Sequence, residues 1–149
     1  MAVSLSKGQG VSLTKENPSL NKIIVGLGWD VRKTDGASFD LDASAFLLGD
    51  DDKVYEQPGI VGYLDGCSTG GNGSVTYSGD NRDGAGEGDD ETLSISLNDL
   101  PEAVKKVVFA VTIHNAVALG QNFGGIEQSY VRVLNEETQE VLCQFDLRE

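Results

Sequence analysis

A mainly all-β fold, an antiparallel β-sandwich carrying one or two short helices, is predicted by three features of the sequence. Apolar residues recur with period two rather than 3.6 along most of the chain, which is the pattern of strands. Nineteen glycines cut these runs into short segments, and short strands between glycine turns are built as two packed sheets. Only one stretch carries the start signals of a helix of any length. The chain has 149 residues, of which 39% are hydrophobic and 23% charged. That suits one core, and since no linker or shift in composition divides it, a single domain over 1–149 is expected.

The elements follow in order. Val3-Ser-Leu-Ser-Lys7 and Val11-Ser-Leu-Thr-Lys15 echo one another around Gly8-Gln-Gly10 and predict two short strands across a turn. Lys22 to Val31 is a β-rich run broken by Gly26 and Gly28. Phe39 to Leu48 alternates and then turns uniformly apolar, which predicts burial on both faces over part of its length. Gly49-Asp-Asp-Asp-Lys53 is a turn, and Ile60 to Leu64 is a further strand before a Gly- and Ser-rich loop from Asp65 to Gly73. Val75 to Ser78 leads into an acidic loop, and Thr92 to Leu97 leaves it with Leu93, Ile95 and Leu97 on one face. Asn98 to Val104 has the helix signals, with Asn98 or Asp99 as cap and Pro101 in the first turn. Val107 to Ile113 is the most hydrophobic strand and is expected at the centre of its sheet. Ala116 to Asn122 suits one helical turn, and Tyr130 to Leu134 with Val141 to Leu147 reads as a hairpin.

Charge narrows the partners. With 11 basic and 24 acidic residues the net charge is 11 − 24 = −13. Binding to nucleic acid or to an anionic membrane needs clustered Lys and Arg, so neither is expected. Cations are the favoured partners. Cys67 and Cys143 are too few for a disulfide scaffold or a zinc site. Met1-Ala-Val-Ser-Leu-Ser-Lys7 has neither an apolar h-region nor an Arg-rich amphipathic pattern. No run approaches the ~20 apolar residues of a membrane span. A soluble, cytoplasmic protein is expected, with no direct membrane insertion.

The most informative stretch is Gly79-Asp-Asn-Arg-Asp-Gly-Ala-Gly-Glu-Gly-Asp-Asp-Glu91, which sets six carboxylates against one base, Arg82. Its glycines let the backbone fold tightly, and many oxygen donors on such a segment are what calcium requires. A second acidic feature is Phe39-Asp-Leu-Asp42. Asp40 and Asp42 are two residues apart on a strand and share a face, opposite Phe39, Leu41 and Ala43. Two carboxylates on an apolar strand are costly unless paired or metal-bound. The loop does not follow the EF-hand register: Asp80 and Glu91 span twelve residues, but Arg82 and Gly84 hold the third and fifth positions and Ala85 the obligatory glycine position. Its ligands would therefore be completed from elsewhere, Asp40 and Asp42 being the natural candidates. Two like charges ~4 Å apart at an effective dielectric of ~20 repel by ~4 kcal/mol. Several such pairs exceed the ~5–15 kcal/mol stability of a domain. The carboxylates either spread into water, as a solvated turn, or converge on a cation. Asp50-Asp51-Asp52 has no second acidic strand nearby and reads as solvated surface.

Gly26-Leu-Gly-Trp-Asp30, Phe39-Asp-Leu-Asp-Ala-Ser-Ala-Phe-Leu-Leu48, Gly79-Asp-Asn81 and Gly86-Glu-Gly-Asp-Asp-Glu91 together resemble the TerD family of tellurite-resistance and stress proteins. Val111-Thr-Ile-His-Asn115, Phe123-Gly124, Tyr130-Val-Arg-Val133 and Phe145-Asp-Leu147 match its second half in order. The resemblance implies a cytoplasmic calcium-binding β-sandwich without established catalytic activity, associated with resistance to tellurite and other stresses and with other stress-response proteins as partners. Carried over by motif, the metal candidates are Asp40, Asp42, Asp80, Asp89, Asp90 and Glu91, with Asn81, Glu87 and Asp30 as weaker ones, around two calcium ions. Two departures stand out. Arg82-Asp83 replaces a more usual neutral pair, and family members commonly continue past the position of Glu149 with a C-terminal segment that this chain lacks.

Other motifs read blandly. Gly66-Cys-Ser-Thr-Gly70 matches the nucleophile-elbow pattern, but Gly71-Asn-Gly-Ser-Val75 follows where a helix is required. His114, the only histidine, reads as structural, Trp29 as a core or rim aromatic, and Cys67 as an unreactive loop thiol. A phosphate cradle at Gly84-x-Gly86-x-Gly88 conflicts with the flanking carboxylates. Three functions remain open at this point. The first is a non-catalytic calcium-binding stress module whose acidic loop is ordered by metal. The second is a metal-dependent hydrolase using the clustered carboxylates. The third is a metal-independent acidic interaction domain.

Overall fold

The computed structural model describes residues 3–6, 9–10, 12–13, 19–29, 40–55, 59–62, 69–78, 89–121 and 129–147. Ten strands lie among them: β1 (Val3–Leu5), β2 (Lys22–Gly28), β3 (Leu41–Leu48), β4 (Ile60–Gly62), β5 (Thr69–Gly70), β6 (Val75–Tyr77), β7 (Glu91–Ser96), β8 (Lys106–Ile113), β9 (Tyr130–Asn135) and β10 (Val141–Asp146). They form one sheet in the order β1-β10-β9-β2-β7-β6-β5 and another in the order β4-β3-β8. All pairings are antiparallel except that of β1 with β10. Of the described residues, Ala116–Leu119 form a single-turn helix, α1. Among the described residues no helix is long and apolar enough to cross a membrane.

The period-two pattern does what it predicts. Ile23, Val25 and Leu27 of β2, Leu93 and Ile95 of β7 and Val133 of β9 point from the large sheet into one core. Leu41, Ala43, Ala45, Leu47 and Val61 meet them from the small sheet. Removing a fully buried leucine such as Leu27 or Leu47 costs about 2–5 kcal/mol once the cavity left behind is included. β3 is buried on both faces over Leu41–Ala45, a stretch that includes Asp42 and Ser44, whereas over its uniformly apolar end buried Ala45 and Leu47 alternate with half-buried Phe46 and Leu48. Two-sided burial is found in the strand as expected, but at its start and not at its apolar end.

Three expectations about elements are corrected. β1 pairs with β10, and Leu13 takes a helical backbone, so the described residues of 3–7 and 11–15 do not pair as strands around a turn. The expected helix over Asn98–Val104 is a 3-10 turn at Leu97–Asp99 followed by extended backbone at Leu100, φ −60° and ψ 137°. Leu100 precedes Pro101, whose ring excludes its neighbour from the α region. Asp99 accepts a hydrogen bond from Ser96 Oγ at 2.8 Å. Finally, among the described strands β8 stands at the edge of the small sheet and β3 at its centre. The apolar side chains of β8 face a cleft of about 770 Å³ shared with Val131 and Val133 of β9 and Phe145 of β10. Hydrophobicity reported that β8 seeks apolar surroundings, not which strand it would flank.

Candidate functional site

The site is built where the end of the acidic stretch joins β7 and lies against β2. In β2, Gly26 pairs with Arg132 and Gly28 with Tyr130 of β9. These four residues share the sheet face opposite Val25 and Leu27. A Cβ on Gly26 would collide with the Asp89 carboxylate, and one on Gly28 with the Tyr130 ring. The two glycines thus form a shallow bed for a carboxylate and a phenol.

Asp89 is held there by two donors. Tyr130 Oη and Arg132 Nε both donate to Asp89 Oδ1, each at 2.9 Å. The Arg132 guanidinium lies 5.5 Å from the Tyr130 ring centroid, within the range of a cation–π contact. Burial, the hydrogen bond to Asp89 and that carboxylate's charge push the Tyr130 phenol up to about 12, against the smaller opposing charge of Arg132. The phenol therefore stays protonated and remains a donor.

The chain bends at Asp90. Its backbone N–H donates to Leu27 O at 2.8 Å, and its Oδ2 accepts from the Trp29 N–H at 2.9 Å. Trp29 itself is buried in the core. Glu91 then opens β7 opposite Leu27 and is fully buried, at 0% exposure. Its Oε2 accepts from the Ala43 N–H at 3.1 Å. Ala43 stands one residue before the Ser44–Gly62 pair with which β4 ends, so Glu91 takes up a strand donor that β4 does not reach. The bend sends Asp89 to the outer face of the large sheet and Glu91 between the sheets.

Asp42, adjacent to Ala43, is the second fully buried carboxylate, at 1% exposure. Asp40 is half-buried with its Oδ1 covered, and its backbone carbonyl accepts from the His114 N–H at 2.8 Å. The structure therefore brings Glu91 to the start of the strand that carries Asp40 and Asp42. Two carboxyl groups taken from water carry charge only with cationic or hydrogen-bonded compensation. The donors are all hard oxygens, which fits calcium. Among the described residues, no group of three or more acidic, histidine or cysteine side chains is gathered closely enough to hold a metal ion. Asp80, Asn81, Glu87 and Asp30 lie outside the described residues, so any further ligands would come from there.

The remaining motifs fall into place around this frame. Thr69 and Gly70 of the G-x-S-x-G match form β5 and lead into a 3-10 turn at Gly71–Gly73, not an α-helix; Gly66, Cys67 and Ser68 lie outside the described residues. Cys143 is a buried free thiol whose pKa is raised by desolvation. Sequence reasoning missed Arg132 and Tyr130. Their signals were available: two glycines inside a strand mark a close approach, and Tyr-x-Arg places both side chains on one face.

A family model for the TerD domain matches residues 1–149. The chain is 49% identical over 149 residues to the tellurium resistance protein TerD of Serratia marcescens, covering all of this chain and 77% of that protein. It is 50% identical over 150 residues to general stress protein 16U of Bacillus subtilis, with the same coverage. A crystal structure of a TerD homologue, SCO6318 of Streptomyces coelicolor A3(2), superposes with a TM-score of 0.68 at 23% identity over 85% of this chain and 71% of that one, a likeness of fold. The names of these relatives describe resistance and stress responses rather than an enzymatic reaction. The chain therefore belongs to the TerD domain family, whose members include proteins named for tellurium resistance and general stress.

Proposed function

We propose that this chain is a non-catalytic, cytoplasmic calcium-binding module of the stress response, in which metal ties the acidic loop to β3 and creates a surface for partner proteins. The observation that carries this reading is the pair of fully buried carboxylates, Asp42 and Glu91, linked through the Ala43 amide beside the acidic stretch. Asp40, Asp42, Asp90 and Glu91 would contribute donors from the described frame, and Asp80, Asn81 and Glu87 from the loop; the charge on offer suits two ions. Calcium, when bound, supplies compensating positive charge and accepts six to eight oxygens at about 2.3–2.6 Å.

The residues of the chain do the positioning. Asp90 fixes the exit of the loop to β2 through Leu27 and Trp29, and Glu91 fixes it to β3. Calorimetric titration of the protein with calcium and, separately, magnesium tests the reading. Saturable calcium binding with weaker magnesium binding is expected, because magnesium demands a stricter octahedron. Absence of binding over millimolar calcium would overturn it.

A further inference from the structure

We propose that Arg132, with Tyr130, is a positioning residue for the cation site, and that Asp89 is the peg by which they hold the acidic stretch rather than a ligand. This rests on the calcium reading above and divides its carboxylates by role. Three observations carry it. Asp89 Oδ1 already takes two donors, from Tyr130 Oη and Arg132 Nε, both at 2.9 Å. The Asp89 side chain is only 9% exposed, and it lies over Gly26, where any Cβ would displace it. The bend at Asp90 separates this carboxylate, on the outer sheet face, from Glu91, which reaches Ala43 between the sheets.

The consequence is a chain of fixed points. Asp89 is pinned to β9, the Asp90 amide to Leu27 of β2, and the Glu91 carboxylate to Ala43 of β3. A charge-assisted bond between a half-covered guanidinium and a nearly buried carboxylate is among the stronger side-chain contacts. Loosening the first point lets the next two drift, and a cation site tolerates little drift in its donors. Arg132 therefore acts on affinity without touching the ion.

Calcium titration calorimetry on the whole chain tests this, with calcium-free melting temperatures measured in parallel. Arg132→Ala is expected to weaken calcium binding about tenfold, at the lower end of what loss of an outer-shell partner does. Asp89→Asn should lose a similar factor with unchanged stoichiometry, and the double variant no more than either alone, as expected for two residues acting through one contact. Gly26→Ala, which displaces Asp89 while deleting no charge, should reproduce the loss. Arg132→Lys should recover part of it. If wild-type protein binds calcium and Arg132→Ala binds it equally well, whatever its melting temperature, the positioning role is wrong and the calcium reading survives. If Asp89→Asn loses far more than Arg132→Ala, or loses an equivalent of bound calcium, Asp89 is a ligand and the peg is refuted. If wild-type protein binds no calcium, the parent reading falls and this one with it.

Discussion

Two runs of three consecutive acids, Asp50-Asp51-Asp52 and Asp89-Asp90-Glu91, have almost the same local chemistry and opposite fates. The first closes on itself. Gly49 N–H donates to Lys53 O at 3.0 Å, Asp52 N–H to Gly49 O at 3.1 Å, and Lys53 N–H to Asp51 Oδ1 at 3.1 Å. Among the described residues its ion pair, Lys106 Nζ to Asp52 Oδ1 at 2.8 Å, joins side chains that are 56% and 65% exposed. In the second run, each carboxyl group bonds to a different part of the chain: Asp89 to β9, Asp90 to the residue after β2, and Glu91 to β3. Density of charge does not make a site. What makes one is the number of separate strands that converge on it and the water they exclude.

The largest expected effect separates the two runs by calcium response. Wild-type protein at a free calcium concentration ~1,000-fold above Kd should gain ~4 kcal/mol of stability, read as a rise in melting temperature that a chelator reverses. Glu91→Ala should abolish most of that rise, whereas Asp52→Asn should leave it intact. Equal responses in the two variants would erase the distinction.

Next comes packing beneath each run. Gly26→Ala should cost about 1–3 kcal/mol in urea unfolding, the range for a buried group that loses a charged hydrogen bond. Gly49→Ala meets only Asp51 Oδ1 at 3.3 Å and Ala103 O at 3.4 Å, so its cost should be smaller. A Gly49→Ala variant as damaged as Gly26→Ala would show that the first turn is no less constrained than the second.

A pH effect should belong to the second run. The Tyr130 phenol is raised from 10.0 to about 12, chiefly by burial. The folded chain then keeps this proton after the unfolded chain has lost it. The stability it contributes is complete below pH ~10 and is lost as pH rises through ~12. Tyr130→Phe should show a shallower fall in stability across that window. A fall as steep as in the wild type would remove Tyr130 from the account.

The smallest effect is expected at the exposed pair. Asp52→Asn and Lys106→Ala should each change stability by less than about 1 kcal/mol, and a double-mutant cycle should find a coupling within the ~0–1 kcal/mol typical of solvated pairs. A larger coupling would mean that the first turn also depends on a distant strand.

Much of the fold was legible. The alternation of Leu93 and Ile95 gave β7 its inward face, whereas the two-sided burial expected within Phe39–Leu48 falls at Leu41–Ala45 and not at the uniformly apolar end. The spacing of Asp40 and Asp42 placed both at the start of that strand, and the acids of 89–91 proved to adjoin it through Glu91. The helix expected at Asn98–Val104 failed because Pro101 constrains Leu100 more strongly than Asn98 or Asp99 caps it. The rank of β8 was not legible because an apolar strand at the rim of a cleft and one in a sheet centre have the same composition.

By itself the sequence determined the strand period, the glycine punctuation and the concentration of acid, and hence a β-sandwich with two acidic features suited to a cation. These are local properties, readable within a few residues. Only the tertiary structure decided which acids are buried and which is pinned at the sheet's outer face. Glu91 meets Ala43 across 48 residues of chain and Arg132 meets Asp89 across 43, and the single bend at Asp90 sends neighbouring carboxylates to opposite faces of one sheet. Contacts of that separation are set by which strands pair and in what register, and no local pattern encodes them.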